Sequence, residues 1–230
     1  MSSCIWAFSF IFTPYFIPMK HLENISKLFS KDFVENPLIE TFEVGRIALP
    51  TGKLVACDPV ITSDMKEFKV HFPTGEFPVL LHKERETNCV AYAEIRFAAE
   101  DITEWKIATT EGQDTADLKG EEIFGYPVES GMGSFMDLET QDCLNHLEKT
   151  LFHRKGGDFM GIYEEFFHEH FFDENGAIDQ YAFLKPDEEM PGTVFAFEAG
   201  YGEGFYASYI GFGKDSQPVK IVTEFIEILS

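Results

Sequence analysis

Apolar and polar residues alternate most regularly between residues 87 and 97, as expected of a β-strand with two different faces. Shorter stretches of the same kind follow turn residues such as Pro50-Thr51-Gly52. We therefore predict antiparallel β-structure from about residue 41 to residue 110. The strands and pairs expected in this region are 41–49 with a slip at Gly45, paired with 53–57; 68–72, paired with 77–82; 87–97; and 102–110.

Helical periodicity, with apolar residues three and four positions apart, appears in three other stretches. The first runs from residue 21 to residue 33 and stops before Asn36-Pro37. The second begins at Asp137, a residue type that suits a helix N-cap, and ends at Gly156-Gly157. Residues 158–172 form the third. We predict one short N-terminal helix and two helices in the middle of the chain.

Residues 200–211, the glycine–tyrosine segment, join two apolar stretches that have the character of strands. Glycine at three alternate positions indicates a tight turn with positive φ, or backbone left uncovered by side chains. An uncovered turn beside tyrosines and an acid suits a binding edge, whereas an ordinary glycine-rich hairpin has the same pattern. The candidate binding residues are Tyr201, Gly202, Glu203, Gly204, Tyr206 and Tyr209.

Together these patterns predict an α+β fold that is mainly antiparallel β-sheet. The two middle helices are inserted before a C-terminal three-stranded meander made of residues 193–199, 205–212 and 219–225. We divide the chain into an N-terminal apolar segment and helix, residues 1–40, and a single α+β domain, residues 41–230.

The net charge of the chain narrows the classes of partner that it could bind. The chain of 230 residues has 40 acidic and 18 basic residues, a net charge of −22. Nucleic acid and anionic membrane surfaces are disfavoured because their phosphates would be repelled. A basic protein would be attracted at long range, although the same acidity is typical of a cytoplasmic protein that is simply kept soluble.

The first eighteen residues are apolar but do not follow the pattern of a signal peptide. No lysine precedes Lys20, and Pro14 and Pro18 interrupt the run, which is also short for a membrane span. One hypothesis is that the natural chain starts at Met19. The four cysteines are widely spaced, and we expect reduced thiols.

Four carboxylates lie at strand ends, on a strand or beside glycine, and they form an alternative acidic site: Asp58, Glu94, Asp137 and Glu203. Such a set could bind a divalent cation or act as an acid–base pair, but each acid could equally be a cap, a turn former or part of a solvated face. Cys143, His146 and His153 lack a second ligand pair for zinc, and we predict no cofactor or metal.

Three motifs are similar to the domain-of-unknown-function 4241 family, which is mostly bacterial. They are residues 50–59 (Pro-Thr-Gly-Lys-Leu-Val-Ala-Cys-Asp-Pro), residues 124–137 with Phe-Gly-Tyr-Pro-Val and Gly-x-Gly-x-Phe-Met-Asp, and residues 200–211. The resemblance extends from about residue 42 to residue 225. It implies kinship of fold and carries no catalytic residue to this chain.

Two functional hypotheses follow, and neither gives the oligomeric state. The first is an acidic binding protein, similar to an immunity protein or antitoxin, that engages a basic protein partner and has no catalytic residues. The second is a carboxylate-dependent hydrolase, with or without a divalent metal. A structural domain whose acidity serves solubility alone is the remaining alternative.

Overall fold

A computed structural model describes residues 19–29, 36–120 and 122–229. The segment before Met19, which contains Cys4 and the predicted apolar run, lies outside the described residues. The larger of two sheets, the seven-stranded sheet, is antiparallel throughout and has the order β1-β3-β4-β13-β12-β5, with β6 paired to the first half of β12. Its strands are β1 (Ile39–Leu49), β3 (Gly75–Glu84), β4 (Val90–Arg96), β5 (Glu104–Ile107), β6 (Tyr126–Val128), β12 (Gly204–Phe212) and β13 (Pro218–Glu224).

The four-stranded sheet has the order β10-β11-β7-β2 and is also antiparallel. Its strands are β2 (Leu54–Cys57), β7 (Met132–Asp137), β10 (Tyr181–Leu184) and β11 (Val194–Glu198). A separate two-stranded hairpin is formed by β8 (Phe172–Asp173) and β9 (Gly176–Ala177). The helices are α1 (Met19–Leu28), α2 (Leu138–Lys155) and α3 (His168–Phe171).

The two sheets pack face to face around one phenylalanine-rich core. Phe135, Phe195 and Phe197 of the four-stranded sheet share this core with Ile95 and Ile221 of the seven-stranded sheet. All five side chains are fully buried. The many phenylalanines of the sequence are therefore used largely to fill the space between two sheets.

Helices cover the outer face of each sheet. On the four-stranded sheet, Leu144 of α2 and Phe171 of α3 pack with Met136. On the seven-stranded sheet, α1 places Ile25 and Phe29 in a separate buried cluster. The architecture is thus four layers, helix–sheet–sheet–helix, and the central strands, such as β4 and β11, are buried on both faces.

The predicted α+β class, with mainly antiparallel sheet, is confirmed. The slip at Gly45 is present as a bulge between Glu43 and Gly45. Asp137 is the N-cap of α2, and its side chain accepts a hydrogen bond from the backbone N–H of Glu139.

The predicted C-terminal meander is wrong in its pairing. The strands β11, β12 and β13 do follow one another, and β12 pairs with β13, but β11 lies in the other sheet between β10 and β7. Strands adjacent in sequence pair by default, yet β11 buries both of its faces and therefore takes a central place between two cover layers. The glycine–tyrosine segment is consequently a crossover between sheets.

The predicted pairing of residues 41–49 with 53–57 is also wrong, again because the second strand is buried and belongs to the other sheet. The strand β1 pairs with β3, whereas β2, whose four residues are all buried, pairs with β7 in the four-stranded sheet. Residues 68–72 do not form the expected strand; Phe68 makes an isolated bridge to Thr110. At the turn Gly52 has φ +73°, and a Cβ there would lie 2.2 Å from the carbonyl oxygen of Phe72.

The second middle helix is shorter than predicted. Residues 163–167 form a π-helical turn that leads into the four residues of α3. Gly161 has φ +103°, which interrupts any helix that starts at residue 158. In the described ranges, none of the helices combines the length and the apolar character needed to cross a bilayer.

Candidate functional site

The glycine–tyrosine segment begins with a tight bend at the point where the chain leaves the four-stranded sheet. Gly200 and Gly202 have φ +50° and +104°, and the N–H of Gly202 donates to the carbonyl of Ala199 at 2.6 Å. A Cβ on Gly200 would lie 2.9 Å from Cβ of Phe225, a core residue. Glycine is therefore required at position 200 both for its backbone angle and for its close packing.

Two aromatic side chains on this bend face solvent. Tyr201 is 68% exposed and Phe205 is 52% exposed. Phe205 lies opposite Pro127 in the pairing of β12 with β6, and Pro127 is itself exposed. Exposed aromatic rings on a fixed backbone are typical of protein recognition surfaces, because they offer large apolar area at a small cost in conformational entropy.

The other two tyrosines of the segment have structural positions. Tyr206 is half-buried, and its hydroxyl donates to the carbonyl of Gly202 at 2.8 Å, which braces the bend. Tyr209 is 1% exposed because α1 covers its face of the sheet, and it packs in the cluster around Phe29. The predicted binding set is thus divided: Tyr201, Gly202, Glu203 and Gly204 lie at the surface, whereas Tyr206 supports them and Tyr209 is in the core.

Carboxylates from three separate parts of the chain lie on the bend or on elements next to it. The hydroxyl of Tyr201 donates to Oε2 of Glu84 at 3.0 Å, and this carboxylate raises the pKa of Tyr201. Glu203 lies on the bend, Glu198 ends β11 immediately before it, and Glu129 follows β6, whose partner is β12. No lysine or arginine occurs in residues 120–148 or 186–213, which supply the bend and its neighbours on β6 and β7.

We call this region the acidic aromatic surface; it comprises Tyr201, Glu203, Phe205 and the carboxylates of Glu84, Glu129 and Glu198. Sequence reasoning found its bend but missed Glu84, Glu129 and Glu198. Glu84 is 117 positions from Tyr201, and no local pattern links them.

Asp58 and Asp137, from the alternative acidic site, are buried acceptors of backbone hydrogen bonds. Asp58 receives the N–H groups of Val60, Glu129 and Ser130 and the hydroxyl of Ser130, at 2.7–2.9 Å. Asp58 therefore satisfies hydrogen-bond donors of the loop residues that approach it.

Asp137 has the same role at the start of α2. It receives the N–H groups of Thr51, Gly52 and Glu139 and the hydroxyl of Thr51, at 2.7–3.1 Å. Both carboxyl oxygens of each aspartate are occupied twice, which leaves little capacity for a substrate or a metal.

Glu94 lies in a different layer, in a charged network on the outer face of the seven-stranded sheet. Its carboxylate contacts Nε2 of His82 at 3.0 Å, Nε of Arg96 at 2.9 Å and Nζ of Lys220 at 3.0 Å. Nδ1 of His82 in turn lies 2.8 Å from the hydroxyl of Thr41.

Burial works against both ionised forms in this network. Burial alone would raise the pKa of Glu94, but the hydrogen bond and charge of His82, with Lys220 and Arg96, lower it to about 2. Burial lowers the pKa of His82, and we assign it as neutral because two cations already face the shared carboxylate. Its Nε2–H then donates to Glu94, and Nδ1 accepts from Thr41.

The structure does not bring the four predicted acids together. Cys57 faces Ser134 and Leu54 faces Asp137, so Asp58 and Asp137 lie at opposite ends of the β2–β7 pair, roughly 13 Å apart along the strands. Glu94 is in the other sheet, and Glu203 is on the surface bend. Among the described residues no group of three or more His, Cys, Asp and Glu is placed to hold a metal ion.

The match to known families covers the elements that build this surface. Residues 47–223 match the family described as "Protein of unknown function (DUF4241)". The chain belongs to the DUF4241 family. The matched range contains both sheets except the first part of β1 and the last residue of β13. No curated protein and no solved structure matches the chain.

Proposed function

We propose that this DUF4241 chain is an acidic binding protein, of the immunity or antitoxin type, that engages a basic protein partner through the acidic aromatic surface. The observation that carries the proposal is the exposure of Tyr201 and Phe205 among carboxylates, in a stretch of chain, residues 186–213, that contains no lysine or arginine. Aromatic anchors supply affinity, while surrounding charge of one sign selects a partner of the other sign and speeds its approach.

The rigidity of the bend supports the same proposal. Gly200 packs against Phe225, and the Tyr206 hydroxyl ties the bend to itself, so the anchors are held before a partner arrives. A pre-organised surface loses less conformational entropy on binding than a loop that must become ordered.

A site-specific photocrosslinker tests the proposal in the producing cells. We would place it at Phe205 and, as a matched control, at Phe152, which is 54% exposed on α2 and is not part of the acidic aromatic surface. We expect a basic protein to be captured from position 205 and not from position 152. Capture of the same protein from both positions, or capture of acidic proteins only, would contradict the proposal.

Affinity for the captured protein then separates charge from ring contacts. Phe205→Ala is expected to weaken binding about tenfold or more, as a buried aromatic anchor does, with Phe152→Ala unchanged. Glu203→Lys is expected to slow association mainly at low salt. Binding that is insensitive both to salt and to Phe205→Ala would refute the assignment of this surface.

The carboxylate-dependent hydrolase and the purely structural domain stay predictions. The separate partners of Asp58, Asp137 and Glu94 give the hydrolase no supporting cluster in the described part of the chain. We therefore place the binding function first.

A further inference from the structure

The strand β5 is the last strand of the seven-stranded sheet, and among the described residues only β12 pairs with it. Its second edge is therefore open in that part of the chain. An open edge presents unpaired N–H and C=O groups, and proteins usually cover such an edge or bind a further strand there.

Hydrogen bonds just beyond β5 show which backbone groups point toward the open edge. The N–H of Ala108 donates to a carbonyl of β12 at 2.7 Å, whereas the carbonyl of Thr109 accepts from the N–H of Lys69, on the opposite side, at 2.8 Å. Alternate residues of a strand direct their backbone groups to the same side, so those of Trp105 and Ile107 point away from β12. In the described ranges no backbone group pairs with them there. Two N–H and two C=O groups are thus available to a further strand.

A cleft of about 600 Å³ lies at this edge, lined by three consecutive residues of β5. Among the described residues that line it, the only charged side chain is Lys106, whose Nζ is paired with the carboxylate of Glu104 at 3.0 Å. The cleft therefore suits an apolar, uncharged occupant. Its apolar walls come from several parts of the chain and include Leu22, Val70, Ile107, Leu118, Ile210 and Phe212.

The helix α1 starts directly beside this cleft. Leu22, which lines the cleft, is three residues after Met19, the first residue of α1. Eighteen residues precede Met19 in the sequence and lie outside the described residues. An extended connection of residues 14–18 spans up to roughly 20 Å, so residues 5–13 are tethered within reach of the open edge.

Residues 5–13 have the composition of a strand that is buried on both faces. Their sequence, Ile-Trp-Ala-Phe-Ser-Phe-Ile-Phe-Thr, has an aromatic residue at every second position and contains no glycine, proline or charged residue. Aromatic and β-branched residues favour strands, and a short apolar run bounded by proline is typical of a strand without a solvent face. An uncharged segment also avoids burying a charge in the cleft.

A second copy of the chain suits the edge less well. In a two-fold antiparallel pairing of β5 with β5, Trp105 would face Ile107, and Lys106 would face the same lysine of the other copy. Like charges directly opposite each other destabilise a strand pair. A segment of the same chain also has a high effective concentration at the edge, whereas another protein must bind from solution.

We infer that residues 5–13 add to the open edge of β5 as a further strand, and that their apolar side chains fill the cleft. This strand pairs with the backbone groups of Trp105 and Ile107. The site is separate from the acidic aromatic surface, because β5 pairs with the second half of β12 and β6 with the first half. The inference does not depend on the proposed function.

Amide hydrogen exchange of the full chain, followed by NMR, tests the inference, with a chain that starts at Met19 as the comparison. The amides of Trp105 and Ile107 should exchange slowly in the full chain and about tenfold or more faster in the shorter chain. Ile221, which is fully buried on β13 within the same sheet, is the internal control and should exchange equally slowly in both chains.

A pair of charge variants of the full chain tests the segment itself. Phe10→Asp places a charge in the middle of residues 5–13, whereas Ser2→Asp adds the same charge outside them. Phe10→Asp should give Trp105 and Ile107 the fast exchange of the shorter chain, because an aspartate in an apolar cleft loses its hydration. Ser2→Asp should leave their exchange slow.

The two tryptophans of the sequence give a second readout. Trp6→Phe leaves Trp105 as the only tryptophan of the full chain, and the chain that starts at Met19 also contains Trp105 alone. Acrylamide should quench the fluorescence of Trp105 more strongly in the shorter chain, because the segment no longer covers it.

Four results would overturn the inference. The first is fast exchange of Trp105 and Ile107 in the wild-type full chain, which does not depend on any variant. The second is equal protection of these amides in the two chains, and the third is slow exchange in Phe10→Asp. The fourth is protection that appears only at high protein concentration, which would assign the edge to a second copy of the chain.

Discussion

Replacing Asp137 by asparagine tests whether the buried aspartates hold the fold or serve chemistry. In the structure, Oδ2 of Asp137 accepts from the N–H groups of Thr51 and Gly52, and Oδ1 accepts from the Thr51 hydroxyl and the Glu139 N–H. Asparagine has nearly the same shape but only one acceptor oxygen. Its NH₂ group would face two donors in a site that is 0% exposed.

The expected cost follows from the bonds lost. A hydrogen bond to a charged group contributes about 1.5–3 kcal/mol, so two lost bonds predict a destabilisation of roughly 3–6 kcal/mol. Domains of this kind are stable by only about 5–15 kcal/mol, so the effect is large. Asp58→Asn should cost a similar amount, because each oxygen of Asp58 also accepts two bonds.

Urea denaturation at neutral pH measures the loss as a lower midpoint at constant slope. Glu203→Gln is the control, since Glu203 is exposed and its replacement should change the free energy of unfolding by less than about 0.5 kcal/mol. Acids that are gathered for catalysis repel one another, and neutralising one of them stabilises the protein. Unchanged or increased stability of Asp58→Asn and Asp137→Asn would therefore refute our structural interpretation.

The remaining predictions concern pH and backbone geometry. Glu94 and His82 both have a lowered pKa, so the stability that they contribute is present at neutral pH. This stability should fall below pH 6.5, the unfolded pKa of His82, and fall further between pH 4.5 and about 2, the unfolded and folded pKa values of Glu94. Glu94→Gln should flatten the acid side of the curve of stability against pH. The hydrogen bond that Nδ1 of His21 donates to the Glu224 carboxylate raises the pKa of His21. Docking of α1 should therefore be strongest below pH 6.5 and weaken as pH rises through the raised value, measured by hydrogen exchange in α1. Gly112→Ala should lower the free energy of unfolding by about 1–2 kcal/mol, because of its positive φ alone. Gly52→Ala adds a clash with backbone and should lower it by about 1–3 kcal/mol more, as measured in thermal melts. Equal losses of stability in the two variants would contradict the geometry at Gly52.

Local pattern was sufficient for the class of the fold and for several of its details. Alternation along residues 87–97 gives β4 because a sheet with two different faces needs a period of two. Asp137 is an N-cap because a helix start leaves N–H groups that a carboxylate satisfies. The bend at Gly200 follows from a backbone angle that side chains disfavour.

In the candidate site, too, the local features were predictable from the sequence and the long-range contacts were not. The sequence placed a turn with Tyr201, Glu203 and Gly204 at one point of the chain, since turn chemistry is local. It did not show that Tyr209 is covered by α1 or that Glu84 accepts from Tyr201, because those contacts join parts of the chain more than a hundred residues apart. Charge composition likewise predicted an acidic protein but not where the carboxylates gather.

Which strands pair was decided only by the tertiary structure. The strands β2 and β11 are apolar on both faces, and that pattern states how deeply a strand is buried but not in which sheet. Their places follow from filling the space between two sheets and beneath α2 and α3, an arrangement to which every layer contributes. The sequence alone therefore determined the class of the fold, many of its strands, the N-cap of α2 and the bend. Packing across four layers determined the sheet order, the separation of the four acids and the exposure of Tyr201 and Phe205.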